Sequence, residues 1–170
     1  VAQLTHGSIA QVFDMGRVDG DYFIAMEYVE GDDLNRLLGP IVSRGDRFPL
    51  DLAVYVMREV ATALAYAHPK TDSHGKALDL VHRDVSPHNV LLSFDGEVKL
   101  IDFGLAKSTL KAQKTEANLV FGKCAYLAPE QVLGKEIDRR TDIYAAGVVL
   151  YELVTCERLF RSDVLFVLMA

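Results

Sequence analysis

The sequence predicts an α+β fold in which short strands come first, helices come last and a hairpin lies between them. Apolar residues recur with a helical period over 51–67, and a nearly continuous apolar segment follows over 141–154. Elsewhere, short β-type runs flank turn residues, most clearly around Asp95-Gly96.

The first half of the chain contains the signals for two strands and two helices. The strands are predicted at Ile9 to Phe13 and Tyr22 to Met26, with turn residues over 16–21 between them. Asp32-Asp33 is typical of a helix start, so a short helix is expected over 34–38, followed by a loop over 39–49. The amphipathic helix over 51–67 should end before Pro69, and a polar surface segment should follow it.

The hairpin predicted over 90–101 suggests a site. If Asp95 and Gly96 form a two-residue type I′ turn, Asn89 lies opposite Asp102 in the register. Opposed residues point to the same face with Cβ atoms about 5 Å apart, so these side chains could share one hard cation. Leu91 and Leu100 would share that face as an apolar floor. Considered alone, a surface hairpin with polar ends explains the pattern equally well.

Composition excludes several classes of protein. Of the 170 residues, 50% are hydrophobic and 25% are charged, which is typical of a globular domain. The net charge of −6 argues against a nucleic-acid partner, which would require a basic surface. No apolar stretch approaches the roughly 20 residues of a membrane span, so we expect no membrane contact by this segment.

Its localisation is predicted to be cytoplasmic, although a parent protein could be anchored in a membrane elsewhere. Cys124 and Cys156 are expected to be free thiols in a reducing compartment. Because the chain begins at Val1 and ends within an apolar run, we expect it to be part of a longer protein.

Three short strings carry a family resemblance. The first string resembles the catalytic loop of protein kinases and reads His82-Arg83-Asp84-Val85-Ser86-Pro87-His88-Asn89. The second resembles the metal-binding triplet of that family and reads Asp102-Phe103-Gly104. The third resembles the end of the activation segment and reads Ala128-Pro129-Glu130. Their order and separation identify the chain as a member of the bacterial serine/threonine kinase group, and the loop together with Lys123 is similar to kinases of myxobacteria. The resemblance implies a partial bilobal fold. Residues 1–30 would be the end of the N-lobe and the hinge, and residues 31–170 the C-lobe to just after helix αF.

The resemblance implies ATP-dependent phosphoryl transfer to serine or threonine hydroxyls of a protein substrate, with Mg²⁺ or Mn²⁺ as the metal. Asp84 would orient the acceptor hydroxyl and take its proton, and Asn89 and Asp102 would hold the metal. His82 and Phe103 would serve packing. The expected nucleotide-binding residues are Met26 as gatekeeper, the backbone of Glu27 and Val29 at the hinge, and Leu91 and Ile101 in the pocket.

Two residues depart from the family pattern near the transferring phosphate. Ser86 stands where serine/threonine kinases usually carry a lysine, and Lys123 follows Gly122 where they usually carry a threonine. We therefore include Ser86 and Lys123 among the catalytic candidates, with the hypothesis that Lys123 replaces the missing cation. The alternative is an exposed loop lysine. Arg83 suggests control by a phosphate on one of the hydroxyls of the loop that follows, at Ser108, Thr109 or Thr115.

The 170 residues contain no Gly-rich phosphate loop, strand lysine or αC glutamate, so we expect this segment alone to be inactive and its parent to be active. One rival function is a pseudokinase scaffold, which Ser86 favours. Another is a small-molecule phosphotransferase, against which Ala128-Pro129-Glu130 argues. Tyrosine specificity stays open.

Overall fold

The computed structural model describes residues 4–103 and 124–160. Within these ranges the strands are β1 (Val12–Val18), β2 (Asp21–Met26), β3 (Gly31–Asp33), β4 (Val90–Ser93) and β5 (Val98–Leu100). The α-helices are α1 (Leu34–Ser43), α2 (Leu50–Ala67), α3 (Pro129–Val132) and α4 (Arg139–Thr155), and a 3₁₀ turn covers Pro87–Asn89. No helix in the described ranges is long and apolar enough to cross a bilayer.

The first hairpin pairs β1 with β2 and turns later than the sequence predicted. Val18 pairs with Asp21, so Asp19-Gly20 is the turn, with φ of 52° and 100°. Positive φ at both central residues is the requirement of a type I′ turn. The predicted turn over 16–21 is therefore wrong for residues 16–18 and for Asp21, which are strand, and β1 begins three residues after the predicted start.

The second hairpin joins β4 to β5 in the antiparallel sheet β3-β4-β5, and its predicted register is wrong by one residue. Val90 pairs with Leu100 and Leu92 with Val98. Gly96 has φ of 86° whereas Asp95 is not in the positive-φ region, and the Gly96 N–H donates to the Ser93 carbonyl at 3.0 Å. These features define a three-residue loop, 94–96, with the glycine in the left-handed position.

The helices follow their sequence signals closely at the start of α1 and along α2. The Asp33 carboxylate accepts a hydrogen bond from the Arg36 N–H at 2.9 Å, which confirms the predicted helix start. However, α1 continues through Pro40 to Ser43, so the first five residues of the predicted loop are helical. Burial of Leu34 and Leu38 anchors this helix against the core.

The core lies between α2, α4 and the β3-β4-β5 sheet. Its fully buried members come from all three: Val56, Val60 and Ala63 of α2; Val149 and Leu153 of α4; and Val90 and Leu100 of the sheet. The nearly continuous apolar segment over 141–154 forms most of α4. Against the described residues, one face of α4 stays exposed, including Ile143 at 60% and Val154 at 39%.

The two sheets are joined where the candidate site lies. The Ala10 N–H donates to the Leu100 carbonyl at 3.0 Å, and the Leu100 N–H donates to the Ser8 carbonyl at 2.9 Å. Residues 27–30 connect β2 to β3 beside this junction. The segment 27–30 and strand β5 lie next to each other at this junction (the cleft), where the Lys99 Nζ lies 2.7 Å from Oε1 of Glu27.

Candidate active site

The loop 81–89 is held to the core by one buried carboxylate. Asp142, in the first turn of α4, is fully buried and accepts the main-chain N–H groups of His82 and Arg83, each at 2.8 Å. Its Oδ2 also lies 2.8 Å from Nε2 of His68 at the end of α2. Because a buried carboxylate is stable only when hydrogen-bonded, these contacts fix the loop relative to α2 and α4.

His82 connects the loop to the segment after β5. Its Nδ1 accepts the Asp84 N–H at 3.2 Å, so Nε2 carries the proton and donates to the Ile101 carbonyl at 2.8 Å. The ring packs edge-on against Phe103 with centroids 4.8 Å apart, which confirms the packing role predicted for both residues. Burial lowers the pKa of His82 below its ordinary value, against the raising effect of nearby carboxylates, so the ring is neutral.

Asp84 and Asn89 are in direct contact. The Asn89 Nδ2 donates to the main-chain carbonyl of Asp84 at 2.6 Å and to its carboxylate Oδ2 at 2.9 Å. Asn89 is only 3% exposed and Asp84 is half-buried. With Nδ2 committed to Asp84, the amide oxygen of Asn89 is the atom left to bind a cation.

Asp102 reaches this region by a different geometry from the one predicted. In the observed register Asn89 lies opposite Ile101, whose N–H donates to the Asn89 carbonyl at 3.0 Å. The prediction that Asn89 and Asp102 are directly opposed is therefore wrong. Asp102 adopts a φ of 64°, and its charge, like that of Asp84, raises the pKa of His82. Both carboxylates thus lie within electrostatic range of one imidazole.

Arg83 is held in a strained conformation by hydrogen bonds on both sides. Its φ of 70° is left-handed, which costs a non-glycine residue roughly 1–2 kcal/mol. Its N–H donates to Asp142, and its carbonyl accepts the Gln131 Nε2 at 2.9 Å. The helix α3, which begins at Pro129, is thereby linked to the loop, and Glu130 accepts a hydrogen bond from Thr141 in α4.

The observed register changes which residues form the apolar floor of the cleft. Leu91 is opposite Lys99, so it shares a face with Ile101 and not with Leu100. Leu100 is fully buried on the opposite, core face, and its predicted place beside Leu91 is wrong. Leu91 and Ile101, both half-buried, therefore lie on the same face of the β4–β5 hairpin.

The connection 27–30 presents main-chain groups to the same cleft. The Glu27 N–H donates to the Gln11 carbonyl at 2.8 Å, and the Glu30 carbonyl accepts from Phe94 at 2.9 Å. Among the described residues, none donates to the Glu27 carbonyl, and none pairs with the N–H or carbonyl of Val29. Met26, the last residue of β2, is half-buried beside them.

Of the two residues that depart from the family pattern, Ser86 lies within the described part of the chain and Lys123 lies outside it. Ser86 is fully buried, and its hydroxyl has no hydrogen-bond partner within the described part of the chain. Lys123, like Gly104 and the hydroxyls of Ser108, Thr109 and Thr115, lies outside the described residues.

The clamp formed by His68 and Asp142 is not predicted by any motif in the sequence. The two residues lie 74 positions apart, and neither belongs to the strings that carry the family resemblance. The available signal was a threonine and an aspartate, Thr141 and Asp142, opening an apolar helix, because a polar residue on a buried face needs a partner.

Comparisons with known proteins agree with this arrangement. A family model described as Protein kinase domain matches residues 1–166. The chain is 42% identical over 162 residues to the tyrosine-protein kinase MasK of Myxococcus xanthus, covering 95% of this chain and 25% of that protein. It is 40% identical to the serine/threonine-protein kinase PknL of Mycobacterium tuberculosis, covering 96% and 38%.

A solved structure shows the same fold. The crystal structure of the PknI kinase domain of Mycobacterium tuberculosis matches with a TM-score of 0.71 and 31% identity, covering 95% of this chain and 55% of that one. The chain thus spans well under two thirds of each of these proteins. The family model and these likenesses show that the chain belongs to the protein kinase family and forms part of its bilobal catalytic domain.

Proposed function

We propose that the full-length protein transfers the γ-phosphoryl group of ATP to serine or threonine hydroxyls of protein substrates. The observation that carries this proposal is the Asp84–Asn89 contact, in a loop fixed by the buried Asp142. Phosphoryl transfer requires positioning and charge neutralisation more than covalent chemistry. Asp84 orients the acceptor hydroxyl and takes its proton, a contribution that is usually about 10²–10⁴-fold in rate.

The oxygen donors at the site fit a hard divalent cation. Asn89 offers a neutral amide oxygen because its nitrogen is committed to Asp84, and Asp102 offers a carboxylate. Magnesium is usually held by one or two carboxylates together with substrate phosphates, and manganese accepts the same ligands. Such an ion would neutralise charge on the phosphates. We assign the adenine to the unpaired backbone groups of Glu27 and Val29, next to Met26 and over Leu91 and Ile101.

The names of several relatives support serine or threonine as the residue that accepts the phosphoryl group. PknL and the kinase PrkC of Bacillus subtilis are named serine/threonine-protein kinases, whereas MasK is named a tyrosine-protein kinase. Phosphoamino-acid analysis of the products of the full-length protein, incubated with ATP and a mixed protein substrate, separates the two. Phosphoserine and phosphothreonine are expected, and phosphotyrosine alone would refute the serine/threonine assignment.

Asp84→Asn tests whether the protein is an enzyme. This variant keeps a hydrogen-bond acceptor for Asn89 but loses the base, so kcat should fall at least 100-fold while ADP still binds. The pseudokinase alternative, favoured by Ser86, predicts instead that the unmodified protein binds ADP without measurable turnover.

Lys123 supplies the cation that Ser86 does not. A cationic contact to the transferring phosphate is commonly worth about 3 kcal/mol, or roughly 100-fold in rate. In the full-length protein, Lys123→Ala should therefore lower kcat strongly. A kcat within twofold of the unmodified protein would show that Lys123 is an exposed loop lysine.

Arg83 is placed to receive a regulatory phosphate. Its Nε is buried and has no partner among the described residues, so an anion would satisfy it. We assign this phosphate to Ser108, Thr109 or Thr115. Mass spectrometry that finds all three unmodified in an active full-length sample would exclude this control.

The 170 residues alone, which lack the Gly-rich loop and strand lysine, should show no transfer of phosphate to protein substrates.

A further inference from the structure

The main-chain pairing between Gln11 and Glu27 is only half complete. These residues continue the register set by Val12 and Met26. A hydrogen-bonded antiparallel pair exchanges two N–H···O bonds, and one of them, from the Glu27 N–H to the Gln11 carbonyl, is present at 2.8 Å. The return bond from the Gln11 N–H goes instead to the Glu27 carboxylate Oε2, at 3.0 Å.

This substitution leaves the Glu27 carbonyl unpaired. The Glu27 carboxylate accepts the hydrogen bond from the Gln11 N–H that the Glu27 main-chain carbonyl would otherwise accept. No other group in the described part of the chain donates to that carbonyl. A half-buried carbonyl without a partner is a ready acceptor for a ligand N–H.

Lys99 holds the carboxylate in place. The Lys99 Nζ lies 2.7 Å from Oε1 of Glu27, and the lysine side chain is only 9% exposed. Each carboxylate oxygen therefore has its own donor, Lys99 on one and Gln11 on the other. The hydrogen bond from Lys99 also lowers the pKa of the Glu27 carboxyl below its ordinary value, so the carboxyl is ionised at neutral pH.

We infer that Glu27 and Lys99 are positioning residues for base recognition: together they keep the Glu27 carbonyl out of the β-ladder and available to the 6-amino group of adenine. This inference rests on the proposed function, because it assumes that the purine lies against residues 27–29. It adds that selectivity for a 6-amino purine depends on two side chains that do not touch the nucleotide.

Purine riboside diphosphate is the probe that isolates this hydrogen bond, because it carries a hydrogen where adenine carries the 6-amino donor and keeps N1 as an acceptor. For the full-length protein, isothermal titration with ADP and with purine riboside diphosphate gives the ratio of the two Kd values. We expect the unmodified protein to prefer ADP by about tenfold or more, the effect of one unmatched buried acceptor.

The Lys99→Met and Glu27→Ala variants should reduce this preference to less than threefold and raise KM for ATP. Lys99→Arg should retain the preference, since it can still donate to the Glu27 carboxylate. Glu97→Ala is the matched control. It removes a second carboxylate 3.7 Å from Lys99 that is 63% exposed, and it should leave the preference unchanged.

A purely structural role for the pair gives a different result. Lower thermal stability with ADP and purine riboside diphosphate weakened equally, so that the Kd ratio stays at its unmodified value, would overturn the inference while leaving the proposed kinase function intact. Failure of the unmodified protein to bind ADP would contradict both the inference and the proposed kinase function. If Lys99→Met does not fold, Glu27→Ala carries the same test, because Lys99 then still has Glu97 as a partner.

Discussion

At the scale of single residues, Ser86 carries a buried polar atom at an energetic cost. Its hydroxyl is completely buried and has no partner in the described ranges. Leaving such a group unsatisfied costs about 1–3 kcal/mol. Ser8 is the opposite case, because its buried hydroxyl donates to the Glu59 carboxylate at 2.7 Å.

Replacing each serine by alanine should therefore change stability in opposite directions. Ser86→Ala should raise the free energy of unfolding by about 1 kcal/mol, and Ser8→Ala should lower it by about 1 kcal/mol. Urea denaturation monitored by circular dichroism measures both. A loss of stability in Ser86→Ala would mean that its hydroxyl is paired in solution.

His82 makes stability depend on pH. Its pKa is lowered in the folded state, chiefly by burial, against an ordinary value of 6.5. Below about pH 6.5 the unfolded chain therefore takes up a proton that the folded chain does not. This contribution to stability is intact above that pH and is lost as the pH falls.

Denaturation midpoints at pH 7.5 and pH 5.5 check this dependence. His82→Gln can still donate to the Ile101 carbonyl but does not titrate, so it should show a smaller drop between the two values than the unmodified protein. An equal drop in both proteins would mean that His82 is not the source of the pH dependence.

At the scale of elements, the two Asp-Gly turns show how the same dipeptide forms different loops. Asp19 and Gly20 both have positive φ, whereas at the second turn only Gly96 does. Asp19 therefore carries a conformational cost that Asp95 does not. The different loop lengths, two residues and three, set the register of each hairpin.

Glycine substitution at the two aspartates should distinguish the turns. Asp19→Gly should keep or increase protection of the β1–β2 amides in hydrogen exchange, because it relieves a left-handed residue. Asp95→Gly should lower the stability of the β4–β5 hairpin by ~0.4–1 kcal/mol, because it only adds freedom to the unfolded chain. Equal effects at both sites would contradict the assignment of a three-residue loop.

At the scale of the whole molecule, Asp142 makes hydrogen bonds to parts of the chain that are far apart in sequence. It joins α4 to the end of α2 and to the loop that carries Asp84. Loss of the Asp142 carboxylate should therefore affect both the stability of the fold and the geometry of the loop that carries Asp84.

Asp142→Ala should destabilise the fold by about 3 kcal/mol, since two main-chain N–H groups and a histidine lose their buried partner. It should also abolish exchange protection of the His82 and Arg83 amides. Asp138→Ala, which removes an exposed cap of the same helix, is the control and should have a much smaller effect. Retained protection in Asp142→Ala would show that the loop is held by other contacts.

Local sequence patterns determined most elements of this protein and the family to which it belongs. The period of α2, the cap at Asp33 and the strings around Asp84 and Asp102 depend on neighbouring residues, so they can be read from the chain alone. Only the tertiary structure decided how these pieces meet. The register of the β4–β5 hairpin depends on the φ of Asp95, and the Asp142 clamp and the Glu27–Lys99 pair join residues about 60 or more positions apart. Such contacts depend on packing, which no local pattern encodes.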